Sequence, residues 1–311
     1  AGGAVYAGQQ VVEGQGGRGA AEGLPMGADT VRSLAETATG KPSFVIGNSP
    51  NGNATEALPT MNTLANVLVA CTRGTAATCA RLFSVSRAPG QPRALDTLQA
   101  THNIASRPAH AVARLVRGQR RAFRPALGSP PRALVIALVH TAGGFNAPGR
   151  MAFDSRGRLW SNNNFARSGT ESGHQLTVLS PTGTPVLSSP LRGGGLDGSG
   201  FGVAVDLRDR VWVSNWAGNS LSLFNSKGRA LSPSSGFTQG DPIKPQGMAV
   251  GRDGSLWIAN SRADYVTLYR GSDPRRWAKI AGKGISNSFS VALDARGDAW
   301  VTNESLTAAP G

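Results

Sequence analysis

The polar and apolar positions of this chain change period once, and that change divides it. Leu64, Val67, Leu68 and Cys71 stand at i, i+3, i+4 and i+7, one face of a helix closed by Gly74. Thr78 to Ser86, carrying Cys79, Leu82 and Phe83, predicts a second short helix. Leu95, Leu98, His102 and Ala105 predict a third, ended before Pro108, and Val112, Leu115 and Val116 a fourth, ended by Gly118. Ahead of these, Val31, Leu34 and Ala35 mark one short helix between Asp29 and Gly40. The stretch KPSFVIGNSPNGNATEALP reads as an ordered loop. After Pro130 the helical period is lost, and ALVIALVH, largely apolar, is most simply a buried strand.

From there the chain repeats itself. MAFDSRGRLWSNN, VAVDLRDRVWVSN, MAVGRDGSLWIAN and VALDARGDAWVTN align without gaps. Each has a short apolar strand, then Asp154, Asp206, Gly251 or Asp294, then a turn with Gly157, Asp209, Gly254 or Gly297 three residues on. A tryptophan follows each time (Trp160, Trp212, Trp257, Trp300), and three residues later an asparagine (Asn163, Asn215, Asn260, Asn303). The steps between tryptophans are 52, 45 and 43 residues, close to the ~40–50 of a four-stranded propeller blade. Asp-x-x-Gly suits a hairpin, because Asp bonds its own backbone and Gly accepts positive φ. Tryptophan on the second strand offers a large apolar face to the next blade. Alternating runs such as NSLSLFNSKGRAL and DYVTLYRGSDPRRWAKI supply further strands.

The fold class expected is therefore mainly β: about four propeller repeats, preceded by a small helical region. Three segments are expected: a Gly/Ala-rich one over 1–59 with little regular structure, short helices with a cysteine pair over 60–130, and the repeats over 131–311. The stretch GFGVAVDLRDRVWVSNWAGNSLSLFNSKGRAL resembles NHL-type repeats. More closely, the chain resembles bacterial secreted proteins in which an NHL-like or virginiamycin-B-lyase-like propeller follows a helical region. MNTLANVLVAC and DTLQATHNIASRPAHAVARL resemble that region, cysteine pair included, and the likeness spans most of residues 30–303. The resemblance implies a propeller fold, and it implies lyase, lactonase or pure binding activity without choosing among them.

The fourth repeat stops at Thr302–Gly311 without its outer strands. Either the chain is truncated, or ALVIALVH completes the last blade, or another copy supplies the missing edge; an unpaired edge strand invites such pairing. The chain begins at Ala1 with no leader, as a trimmed product does, and no apolar run approaches the ~20 residues that span a bilayer.

Composition sharpens this picture in two places. The net charge of +14 comes mostly from arginine. Its densest run is RLVRGQRRAFRP, with Arg114, Arg117, Arg120, Arg121 and Arg124, and between Arg81 and Arg132 the one acidic residue is Asp96. Such a patch suits an anionic surface polymer or an acidic protein, or it is a solvated excess of a GC-rich genome. Nucleic acid is disfavoured, because Phe123 stands alone where stacking aromatics would interleave. Cys71 and Cys79 form an even pair in CTRGTAATC, consistent with a disulfide and a secreted, cell-surface or periplasmic location, or with two buried thiols.

Candidate chemistry is sparse. Asn163, Asn215, Asn260 and Asn303 are candidates to line one end of a channel, and such oxygen ligands suit Ca²⁺ or Mg²⁺. Equally, each can close its own strand by bonding the turn that follows. Of the four histidines (His102, His110, His140, His174), only His174 lies inside a blade, and none occupies a repeat position. GGGLDG fits G-x-G-x-x-G but sits between blades. The expectation is a non-enzymatic extracellular binding or assembly module with no assigned catalytic residue. The alternatives are a metal-dependent lyase or lactone hydrolase of the same fold, and a structural subunit of an extracellular filament or oligomer.

Overall fold

The computed structural model describes residues 4–6, 23–118, 122–164, 172–198, 201–282 and 284–304. The chain divides into two compact units, Val5–His140 and Thr141–Gly311, the second also taking in Ala1–Ala4.

The first unit is helical. A short strand β1 (Ala4–Tyr6) precedes α1 (Gly23–Leu34), α2 (Phe44–Gly47), α3 (Ala57–Thr72), α4 (Ala76–Val85), α5 (Thr97–Ser106) and α6 (Val112–Val116). The segment expected to carry little regular structure thus holds two helices. Ser43 caps α2 by accepting a hydrogen bond from the Ile46 N–H, and Ile46 is buried beside Ala57, Leu58 and Leu138. The face of α3 read from the sequence is the one that packs: Val67 and Cys71 join Leu82, Ile104, Val112 and Leu115 in one core, with Leu64 and Leu68 against it.

The face read for α5 is a different matter. Leu95 and Leu98 are 80% and 78% exposed, while Ala100, Asn103 and Ile104 are buried. The cause is local. Asp96 caps the helix by accepting the Gln99 N–H, so the helix starts at Thr97 and Leu95 stands outside it. ALVIALVH also departs from expectation. Only Leu138–His140 forms a strand (β2); it pairs with β1, and the segment belongs to the helical unit, so it completes no blade.

The second unit is a series of four antiparallel sheets. Blade one comprises β3 (Pro148–Phe153), β4 (Leu159–Asn163) and β5 (Leu176–Leu179), and blade two β6 (Val203–Val205), β7 (Val211–Asn215) and β8 (Ser220–Phe224). Blade three has four strands, β9 (Pro245–Val250), β10 (Leu256–Asn260), β11 (Tyr265–Tyr269) and β12 (Trp277–Ala281). Blade four has β13 (Ser288–Leu293) and β14 (Ala299–Asn303) among the described residues. In blades one and two the outer strand is reduced to bridges, Leu176–Leu191 with Leu179–Pro185, and Leu221–Phe237 with Phe224–Ala230.

Neighbouring blades meet through packed tryptophans, close backbone approach at glycine, and side-chain hydrogen bonds such as Ser155 N–H to Asp209 Oδ1. Trp160 packs with Val203, Val211, Val213 and Phe224 of blade two, and Trp212 with Leu256, Ile258 and Tyr269 of blade three. Nearer the N-terminal ends of the inner strands, glycine lets backbones approach. A Cβ on Gly202 would collide with the Gln246 carbonyl, and one on Gly247 would lie 2.7 Å from Ser290 Cα.

Candidate functional site

The repeated polar residues are assembled blade by blade. Asp154 Oδ1 accepts the N–H groups of Arg156 and Arg158, both at 3.0 Å, and its Oδ2 accepts Arg158 Nε at 2.7 Å and Trp160 Nε1 at 2.8 Å. Asp206 repeats this with the N–H groups of Arg208 and Arg210, Arg210 Nε and Trp212 Nε1. The two guanidiniums lie 5.7 Å and 5.9 Å from the centroids of Trp160 and Trp212. Asp294 binds the N–H groups of Arg296 and Asp298, which hold its carboxyl below the ordinary carboxylate range, the Asp298 bond foremost. Blade three has Gly251 in place of the aspartate. Asp253 takes over part of the role, accepting the Ser255 N–H and hydroxyl, and the backbone turn keeps its form. In all four turns the residue three positions after the marker has positive φ: Gly157 +69°, Asp209 +58°, Gly254 +77° and Gly297 +91°.

The asparagines form a second repeated device. Each Oδ1 accepts a backbone N–H from the segment entering its own blade: Asn146 for Asn163, Asp197 for Asn215, Ile243 for Asn260 and Ser286 for Asn303. The Nδ2 groups of the first three donate to third-strand hydroxyls, at Thr177, Ser222 and Thr267. Asn163 donates also to Gly144 O, and Asn303 to Gly284 O. Weighed as cation ligands, these residues are instead clasps that tie the entry of a blade to the end of its second strand. The Oδ1 atoms bond backward along the chain, and the Nδ2 groups also bond forward, Asn215 to Ser220 Oγ and Asn260 to Tyr265 O at the end of the turn that follows. The donor set does not fit a divalent cation. One lone pair of each amide oxygen is already used, and among the described residues no three His, Cys, Asp or Glu side chains converge.

The remaining candidates are scattered. His102 contacts Ser106 at 3.4 Å, and burial holds half-buried His140 below its ordinary imidazole value. His174 Nδ1 donates to Leu196 O at 2.9 Å and lies 3.9 Å from Asp197 Oδ1. Cys71 and Cys79 form a disulfide joining α3 to α4. Arg114, Arg117 and Arg124 are exposed in the helical unit, while Arg120 and Arg121 lie outside the described residues.

What the repeat pattern did not indicate is the state of the two free blade faces. Trp160 and Trp212 are 0% exposed, but Trp300, at the same position in blade four, is 66% exposed. Met151 and Phe153, which match Val203 and Val205 of blade two, are 50% and 45% exposed. Behind them Leu159 and Leu179 are covered by Phe145 from the segment entering blade one. At the inner strands the first and last blades touch. Arg150 donates to Ser290 Oγ at 3.3 Å, and its guanidinium carbon lies 5.9 Å from the Phe289 ring centroid. The series of blades is bridged there by a side chain, while Trp300 and Met151 are exposed.

No family model matches the chain, and no curated protein matches it. Solved structures similar to it include virginiamycin B lyase from Staphylococcus aureus, at 14% identity and TM-score 0.39, covering 50% of this chain and 48% of that one. A gluconolactonase from Xanthomonas campestris is similar at 18% identity and TM-score 0.39, with 52% and 58% covered. A nidogen/laminin complex is similar at 14% identity and TM-score 0.40, with 55% and 62% covered. The chain thus spans about half the length of the lyase. Similarity at this level concerns the fold alone. What the chain itself shows is a series of four antiparallel sheets following a helical region.

Proposed function

We propose that the protein is a non-enzymatic binding or assembly module of an extracellular compartment, and that its propeller engages other polypeptide chains through the free faces of blades one and four. One observation carries this reading: Trp300 and Met151 are exposed, whereas their counterparts in the other blades are buried (Trp160, Trp212, Val203) or half-buried (Trp257, Met248). Exposed apolar surface bordered by polar residues is the common mark of a protein-binding surface. The chemistry of the two faces is complementary in kind. The Trp300 face corresponds to the one that Trp160 and Trp212 press outward, and the Met151 face to the one that receives them. A partner presenting blade-like sheet, including a second copy, satisfies both. The Cys71–Cys79 disulfide suits an oxidising location.

Light scattering across a concentration series tests this. The wild-type chain is expected to self-associate, and Trp300→Asp to remain monomeric. A wild-type monomer at every concentration that also captures no extracellular protein overturns the reading. So does lactone or lyase turnover that chelation abolishes.

A further inference from the structure

The helical unit contains a preformed cavity that the blades do not share. Helix α3 has two buried faces. Val67 and Cys71 point into the apolar core, whereas Asn62, Thr63 and Asn66 are buried polar residues on another side. These three hold the extended segment 122–130 in place. Asn62 Nδ2 donates to Pro125 O at 2.8 Å and Asn66 Nδ2 to Phe123 O at 3.0 Å. In return the Phe123 N–H donates to Asn66 Oδ1 at 2.8 Å and the Leu127 N–H to Thr63 Oγ1 at 3.0 Å. Between this strap, α3 and α6 lies a cavity of about 510 Å³, within the range of small-molecule sites.

Its lining has two characters. Val116, Ala126, Leu127 and Pro130 make it apolar, and Arg114 and Arg117 add two cationic side chains to its lining. Neither guanidinium has a hydrogen-bond or ion-pair partner among the described residues. The nearby cation is differently placed: Arg81 donates to Arg114 O at 2.8 Å and Arg117 O at 3.4 Å, closing the C-terminal end of α6. Asp96, the one carboxylate between Arg81 and Arg132, is committed to capping α5. Among the described residues, therefore, no carboxylate pairs with the two arginines at the cavity.

We propose that this cavity binds an anionic amphiphile: a carboxylate, sulfate or phosphate head between Arg114 and Arg117, with a short alkyl or acyl chain against Val116 and Leu127. The guanidinium fork suits such heads, because it offers paired N–H donors to two oxygens of one group. The apolar lining sets the requirement for a chain, which distinguishes this site from a general polyanion patch.

Isothermal calorimetry on the full chain, below the micellar concentration, tests it with decyl sulfate, decyl phosphate, decanoate, decanol and inorganic sulfate. The three charged amphiphiles are expected to bind one per chain, and decanol and inorganic sulfate at least tenfold more weakly. The pair Arg114→Ala with Arg117→Ala should lose at least tenfold in affinity. The pair Arg87→Ala with Arg93→Ala, which removes the same charge elsewhere on the helical unit, should lose less than twofold. Both are checked for helical circular dichroism. If the Arg114/Arg117 pair misfolds, Ala126→Trp, which fills the cavity and leaves both arginines, must abolish binding instead. Equal binding of decanol, equal loss in the control pair, or tighter binding of a single-stranded oligonucleotide overturns the proposal.

Discussion

Trp212 donates its indole N–H to Asp206 Oδ2 at 3.0 Å, and the same oxygen binds Arg210 Nε at 2.8 Å. One buried carboxylate therefore holds the turn, an arginine and the ring that meets the next blade. Asp206→Ala is expected to destabilise the propeller by about 3 kcal/mol, because it strands a half-buried guanidinium and a buried indole N–H. Asp294→Ala, whose partner Trp300 is exposed, is expected to cost under about 0.5 kcal/mol. Urea unfolding followed by tryptophan fluorescence separates the two.

The tryptophans themselves should divide in the same way. Trp212→Ala removes a ring packed 5.8 Å from Tyr269 and 5.9 Å from Phe237, between centroids. It should cost about 3–5 kcal/mol. Trp300→Ala should leave stability within about 0.5 kcal/mol and reduce association. Equal losses of stability at the two sites would mean that the blade-four face is covered within the chain.

Reduction is expected to act on one unit only. The Cys71–Cys79 bridge closes a short loop in the helical unit, and a loop of that size contributes about 2–3 kcal/mol. All six tryptophans lie beyond Thr141. A reductant should therefore lower the midpoint of the helical circular-dichroism transition and leave the tryptophan transition in place.

Acid should also act on the helical unit. Burial lowers the His140 pKa from its ordinary value of 6.5, so the fold favours the neutral ring. Its contribution is fully present above 6.5 and is lost as pH falls through the lowered folded value. Thermal unfolding between about pH 7 and pH 5 should show this loss, and His140→Gln should flatten it.

The sequence carried the blade register because the Asp, Trp and Asn positions are local: turn, strand and clasp lie within one repeat. The apolar face of α3 was legible for a similar reason, being a single uninterrupted helix. The face of α5 was misread because Leu95 and Leu98 fit a helical spacing that the Asp96 cap interrupts. The partners of the asparagines were only partly legible. Their amides reach 17 or 18 residues back to Asn146, Asp197, Ile243 and Ser286, and no short-range pattern announces that pairing. The cavity was hidden more deeply. Asn62 and Asn66 carry no local signal, and only their bonds to residues some sixty positions later show them as the posts that hold a strap.

The glycines at 202 and 247 and the tryptophan faces join each blade to the next, with hydrogen bonds such as Ser155 N–H to Asp209 Oδ1 and Arg210 to Ser272 O running between neighbours. A chain organised in this way stores its cohesion between nearest neighbours. Heat should then strip it from the Trp300 end inward. By the same logic, excising residues 197–241 as a block would bring the Trp160 face against Met248, Val250 and Leu256, a surface that already receives a tryptophan. Apart from the Arg150–Ser290 contact between first and last blades, the joints described are between nearest neighbours, so the number of blades can change with few of them being redesigned.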